Sequence, residues 1–270
     1  MSDHSHPRFR KGEASDYWHD LMTGEGKGLD LMSRVFRRFP TAPRCKLCQA
    51  PFSGPYAPLF WLAGFRRWKL NAQICRYCVG GLQKEKGGTE VAVSMLFADV
   101  RGSTSIAEHM TASEYSSSLD RFFSLVFEAV DSEDGVIDNI VGDGVMAFWV
   151  PGFVGERHAT AAVAAGRNLV AALVADSVLA GRFPVGVGVH TGQAFAGVVG
   201  ETGSLDFTIL GDVPNTTARL GSAADAGELA LSDDIVQAAG VATSGLERRI
   251  LELKGKAQPF PAWIEKVVAA

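Results

Sequence analysis

The stretch IDNIVGDGVMAFW (137–149) decides how the rest of the chain is read. An apolar run stops at Gly142-Asp143-Gly144, and a second apolar run begins at Val145. Glycine and aspartate between two such runs signal a tight turn, so the stretch reads as a β-hairpin with Asp143 at its tip. Asn139, a polar amide, stands four residues before that acid.

Working outward, EVAVSMLFADV (90–100) reads as a buried strand ending in a second acid, Asp99. RGSTS follows, and a helix is expected from about Thr104 to Ser132. Small residues between a strand and a helix N-terminus make a place for phosphate, because free N–H groups point outward there. The Lys-Ser/Thr pair of a P-loop is absent. Beyond the hairpin, ERHATAAVAAGRNLVAALVAD reads as an Ala-rich amphipathic helix. FPVGVGVH and AFAGVVG are expected to pair as a hairpin through TGQ. LDFTIL reads as a strand and DVPNTTARLGSAA as the opening of a helix. Strand, helix, hairpin, helix, strand is a βαββαβ order, which predicts an α/β (α+β) domain of ferredoxin-like type.

In such a unit the first strand can lie beside the hairpin, so Asp99 and Asp143 can converge. Either acid alone is more simply a helix cap or a turn residue. Two carboxylates beside a phosphate-accepting loop are what two Mg²⁺ or Mn²⁺ ions require, since hard cations take oxygen ligands and bridge to substrate phosphates.

All four cysteines lie upstream, in CKLC (45–48) and CRYC (75–78). The pattern Cys-x2-Cys, 26 residues, Cys-x2-Cys can close a tetrahedral thiolate site for structural zinc at Cys45, Cys48, Cys75 and Cys78. An iron–sulfur cluster is the less favoured occupant, and two disulfides or free thiols are the alternatives. Four thiolates leave no open position for water, so this metal is expected to staple residues 41–80 rather than to catalyse. GLDLMSRVFRRF predicts a short amphipathic helix within the polar segment 1–40. The Gly-rich GGLQKEKGGTE (80–90) reads as a linker, and the domain that follows is expected over 91–268.

Composition sets the outer bounds. The chain has 270 residues, 47% of them apolar, and a net charge of −4. Residues 31–90 hold eleven Lys or Arg against Glu85 and Glu90, a local charge of +9, so the remainder stands near −13. A solvated basic surface is the simplest reading of that asymmetry, and a regulator docking on the basic segment is the alternative. Nucleic acid is not the expected partner of so acidic a chain. No membrane span is expected, because the longest apolar runs are strand-length or broken by Gly and Arg. With a polar N-terminus lacking an apolar signal core, a cytoplasmic location is expected.

Five blocks in order then resemble a known family. FADVRGST, GDGVMAFW, GVGVHTGQAFAGVVG, TILGDVPNTTARL and LKGKAQPF are similar to the catalytic domain of class III nucleotidyl cyclases, over residues 91–267. The resemblance implies that Asp99 and Asp143 bind two metal ions, with Val100 lending a backbone carbonyl. It implies that Gly102, Ser103 and Thr104 cradle phosphates and that Lys254 pairs with the terminal ones. Asn215 would hold the ribose and Arg219 would neutralise charge on the α-phosphate; their i, i+4 spacing puts them on one helix face. Because the chain carries one copy of each half-site, the resemblance implies a homodimer with two shared sites. The base-facing positions are Asn139 and Thr208. Family adenylyl cyclases usually carry Lys at the first and Asp or Thr at the second. Thr208 fits an adenine reader; Asn139 departs, and an amide can pair with adenine or guanine. The expected activity is ATP to 3′,5′-cyclic AMP and pyrophosphate. A guanylate or pyrimidine cyclase, or a silent nucleotide sensor, is the alternative.

Overall fold

The structure is a computed structural model that describes residues 14–25, 27–39, 42–68, 72–84, 87–199, 206–252 and 259–266. Among these, the elements run α1 (Ala14–Thr23), α2 (Lys27–Phe36), α3 (Ala57–Leu62), α4 (Arg76–Lys84), β1 (Gly87–Val100), α5 (Ser103–His109) and α6 (Ala112–Ser132). They continue with β2 (Val136–Val141), β3 (Gly144–Trp149), α7 (Pro151–Val154), α8 (His158–Ala175), β4 (Val185–Val199), β5 (Asp206–Leu210) and α9 (Asp212–Ala223). The last are β6 (Glu228–Ser232), α10 (Asp233–Ala239), β7 (Glu247–Leu251) and β8 (Phe260–Lys266). The sheet order is β2-β3-β1-β4-β6-β8-β7, with β5 also on β4. Its first four strands are the expected βαββαβ set: β3 lies between β2 and β1, antiparallel to both.

Three local expectations are corrected. The helix read as continuous from Thr104 to Ser132 breaks at Met110, whose backbone is extended. Thr111 then caps α6: its hydroxyl accepts from Glu114 N–H while the Glu114 carboxylate accepts from Thr111 N–H. That reciprocal pair restarts the helix and satisfies two end donors. The hairpin expected through TGQ does not form, and β4 runs unbroken for 15 residues. A two-residue hairpin needs positive φ at its centre, and Gly192 is not among the glycines that adopt it. The Gly-rich stretch from Gly80 is helical as far as Lys84.

The chain divides into two compact units. The first comprises Met1–Val91, Pro151–Gly155 and Phe195–Ile209. Here Trp18 is fully buried and stacks on Phe207, with ring centroids 6.0 Å apart. Phe36, Phe39, Phe60 and Phe65 make an edge-to-face cluster that joins α2 to α3. The second unit comprises Ala92–Val150, Glu156–Ala194 and Leu210–Ala270. Its α6 buries Phe122, Leu125, Val126, Ala129 and Val130. Those positions recur at the 3, 4, 7, 8 spacing of one helix face. Each of the larger side chains contributes about 1.5–3 kcal/mol by leaving water. Trp149 closes the core, its indole N–H donating to the Glu133 carbonyl at 2.9 Å.

Pro151–Ala175 is long and apolar enough to cross a membrane by length and composition alone, although half of its most apolar window is buried inside the fold.

Candidate functional site

The four cysteines form the tighter of two clusters of candidate cation ligands. Each pair sits in a knuckle closed by a β-bridge, Arg44 with Pro51 and Arg67 with Cys75. Lys46 N–H donates to the Gln73 carbonyl at 2.9 Å and ties the knuckles together. The Arg44 guanidinium donates to the carbonyls of Phe36, Phe39 and Gln49, satisfying loop oxygens the fold leaves open. All four sulfurs are buried and lie within 4.8 Å of one another. Cys45 and Cys78 are 3.9 Å apart, Cys48 and Cys75 3.7 Å. A disulfide requires about 2.05 Å. A tetrahedron with metal–sulfur bonds of about 2.3 Å has edges of about 3.8 Å. These thiols therefore form a pocket that fits a tetrahedral ion. Backbone N–H groups of Cys75 and Cys78 donate to the sulfurs of Cys45 and Cys75, at 3.3 and 3.4 Å. Burial pushes the Cys45 thiol up, but hydrogen bonds from the other three outweigh it and hold it well below the usual range. The bond to Cys45 holds Cys48 and Cys78 well above that range.

The second arrangement lies at the end of β1. Asp99 pairs in register with Gly144, the residue after Asp143. Gly142 takes φ +63° at the first turn position, which suits a two-residue hairpin. Gly144 matters for a different reason. A Cβ there would come within 2.7 Å of the Phe97 ring and 3.2 Å of the Asp99 carboxylate. Glycine thus lets Asp99 lie across the base of the hairpin that carries Asp143. Arg101 forms an ion pair with Asp99, both side chains about three-quarters buried. Burial pulls the Arg101 pKa down, while Asp143 and Asp225 pull it up. Burial, and then the charge of Asp143, raise the Tyr115 hydroxyl pKa, against a hydrogen bond with Ser103.

Val100 is buried at the strand end, and Gly102 turns the chain into α5 with φ +64°. Ser103 is half-buried and Thr104 exposed in the first turn of α5.

Asn215 and Arg219 both lie on α9. That helix approaches the sheet through glycine: a Cβ on Gly221 would meet the Phe97 carbonyl at 2.7 Å, and one on Gly188 the Gly221 nitrogen at 2.2 Å. Asn215 is exposed, its amide donating to the Gly211 carbonyl at 3.0 Å, and Arg219 is half-buried. Among the described residues, no hydrogen bond or ion pair joins Asn215 or Arg219 to Asp99 or Asp143. Asn139 is exposed on β2, directly after a register shift between Ile137 and Asn139. The shift makes Asp138 a bulge, a device that re-aims side chains beside functional sites. Thr208 is half-buried on β5 in the first unit. Lys254 lies outside the described residues.

The structure therefore brings Asp99, Asp143 and Arg101 together. Sequence reasoning passed over Arg101, which stands in the turn directly after β1, two residues from Asp99. It also passed over Tyr115, for which no sequence signal pointed to the loop at Ser103.

A family model described as "Adenylate and Guanylate cyclase catalytic domain" matches residues 87–266. An adenylate cyclase of Anabaena cylindrica is 30% identical over 166 residues, covering 59% of this chain and 33% of that protein. Adenylate cyclase 1 of Rhizobium meliloti is 33% identical over 133 residues, 47% of this chain and 20% of that one. The chain thus spans a third or less of the length of these curated relatives. Among solved structures, the guanylyl cyclase Cya2 aligns with TM-score 0.60 and 27% identity, covering 66% of this chain and 93% of that one. The adenylyl cyclase CyaB of P. aeruginosa aligns with TM-score 0.56 and 24% identity, over 68% and 97%, and shares the fold.

Proposed function

The chain belongs to the adenylate and guanylate cyclase catalytic domain family, and from that premise we propose that it converts ATP to 3′,5′-cyclic AMP and pyrophosphate at sites shared between two copies. The carrying observation is the pairing of β1 with the β2–β3 hairpin, which sets Asp99 beside the strand that begins immediately after Asp143.

Asp99 and Asp143 would hold Mg²⁺ or Mn²⁺. Their carboxylate oxygens suit hard cations, and a cation already sits there in the form of the Arg101 guanidinium. When bound, such ions supply charge neutralisation on the phosphates and a more acidic ribose 3′-hydroxyl. The residues contribute position. Gly102, Ser103 and Thr104 offer backbone N–H groups to phosphate oxygens at the turn into α5. Asn215 orients the ribose so that its 3′-oxygen lies in line with the α-phosphate. Arg219 stabilises negative charge as the 3′-oxygen bonds to that phosphorus and the bond to pyrophosphate breaks.

A single chain carries one copy of the acid pair and one of Asn215 with Arg219, so a second copy supplies the missing half. Exposed apolar residues at the hairpin tip support this reading. Ile140 is 42% exposed and Val141 59%, next to Asp143. A second chain would cover them.

Adenine is preferred on the strength of the named adenylate cyclase relatives and the threonine at 208. Asn139 favours a second reading: its amide can donate to guanine O6 and accept from N1–H, and a guanylyl cyclase is among the similar structures. The four buried thiols take structural zinc, and the basic segment around them is where a regulator would dock.

Incubation of the purified chain with Mn²⁺ and each of the four nucleoside triphosphates tests the proposal. Cyclic AMP with stoichiometric pyrophosphate from ATP is expected. Cyclic GMP as the main product overturns the adenine assignment, and no product from any of the four overturns catalysis.

A further inference from the structure

Arg101 has no part in the proposed reaction, yet its guanidinium lies on the acid pair. One terminal nitrogen of its guanidinium pairs with the Asp99 carboxylate, and the other donates to the carbonyl of Ser222. Its Nε reaches the Asp99 carbonyl at 3.4 Å. Its backbone N–H donates to the Pro184 carbonyl at 2.7 Å, which fixes where the side chain starts. Asp143 and Asp225 add their charges to the same place.

The Ser222 contact gives the cluster its meaning. Ser222 lies in the last turn of α9, where carbonyls lack helical partners and the dipole is negative. A guanidinium there caps the helix. Through one side chain, Asp99 is tied to the end of the helix that carries Asn215 and Arg219.

A divalent ion and a guanidinium cannot hold the same carboxylate oxygen, because their like charges repel and their positions coincide. We propose that Arg101 is a displaceable latch on the cation site: without metal its guanidinium neutralises Asp99 and ties it to α9, and metal loading drives it off the carboxylate. The inference rests on the reading of Asp99 and Asp143 as metal ligands. It makes Arg101 a positioning residue that sets how tightly the empty site takes metal. Once off Asp99, the guanidinium keeps its bond to the Ser222 carbonyl.

The test is Mn²⁺ binding to the full chain without nucleotide, followed by the electron paramagnetic resonance signal of free Mn²⁺. Arg101→Met keeps most of the stem and removes the charge, and should bind Mn²⁺ about tenfold tighter, the size of one competing charge-assisted bond. Arg101→Lys keeps the charge and should stay near wild type. Arg248→Met removes an exposed positive charge on β7, at the opposite edge of the sheet from the β2–β3 hairpin, and should change nothing. Unchanged or weaker binding by Arg101→Met overturns the latch, and so does an equal gain in Arg248→Met, which would mean a general field effect. Should Arg101→Met not fold, the Arg101 Nε–H resonance of the unmodified chain decides. A shift on adding Mg²⁺ supports the latch, and indifference to Mg²⁺ overturns it. Failure of the underlying reading looks different: Asp99→Asn would then bind Mn²⁺ as tightly as wild type.

Discussion

The two candidate cation sites of this chain are built on opposite plans. The cysteine site has four soft ligands, all buried, from two knuckles in one stretch of chain, already at the spacing a tetrahedral ion needs. The carboxylate site has two hard candidate ligands, neither fully buried, with an arginine beside them. The first is complete within one chain and closed to substrate. The second is open, offers fewer protein ligands and is balanced by the Arg101 guanidinium. A structural ion must never leave, so its site is saturated with protein ligands. An ion that bridges to phosphate must leave room for oxygens the protein does not supply.

The contrast breaks most decisively at the cysteines. Cys48→Ser should abolish binding of about one zinc per chain and unfold the knuckles, since structural zinc contributes roughly 10–16 kcal/mol in small metal-folded peptides. Hydrogen exchange is the measurement, with protection expected to vanish over Cys45–Cys78 and to persist in β1 and β3. Loss of protection in both places would show that the two sites are not independent.

At the open site the expected loss is in rate rather than in folding. Asp99→Ala and Arg219→Ala should each lower cyclic nucleotide formation by at least about 10²–10³-fold with little change in melting. Mixed in equal amounts, the two dead chains should recover about a quarter of wild-type activity, because half the dimers then carry one intact shared site. No recovery on mixing would place the whole site within one chain.

A third carboxylate sharpens the meaning of a displaceable arginine. Glu228 is only 4% exposed and takes two bonds from Arg249, at 2.8 and 2.9 Å. Burial pushes the Glu228 pKa up, but Arg249 outweighs it and holds the carboxyl below the usual range. A depressed carboxylate adds stability above its unfolded pKa of about 4.3 and loses it as pH falls through the folded value. Arg249→Ala should therefore destabilise the chain by about 3 kcal/mol at neutral pH, with much less difference under acid, in denaturant melts. Arg101→Met should destabilise the metal-free chain less, because the Asp99 side chain keeps about a fifth of its surface in water where that of Glu228 keeps 4%. The smallest expected effect is at the base: Asn139→Lys should shift the ATP-to-GTP rate ratio by roughly tenfold toward ATP. An unchanged ratio would remove Asn139 from base reading.

Much of this was legible in the residues. The Cys-x2-Cys pairs announced their own site, because ligand spacing within a knuckle is local. The strand ending in Asp99 and the turn holding Asp143 were legible because burial and tight turns have short-range signatures. The break at Met110 was missed although Thr111 and Glu114 spell a capping box, since the apolar spacing runs on past it. The false hairpin at TGQ came from reading Gly192 as a turn glycine, when its extended backbone continues the strand.

By itself, then, the sequence determined the family, most of the order of elements and the residue types that could serve as ligands. Each depends on residue type and on spacing along the chain. Only the tertiary structure decided that Asp99 lies against the hairpin through Gly144, that Asp138 bulges to set Asn139, and that Arg101 joins Asp99 to Ser222. Those facts depend on which strand pairs with which and in what register. Ser222 stands 121 residues from Arg101, and no local pattern encodes a contact made across a folded sheet.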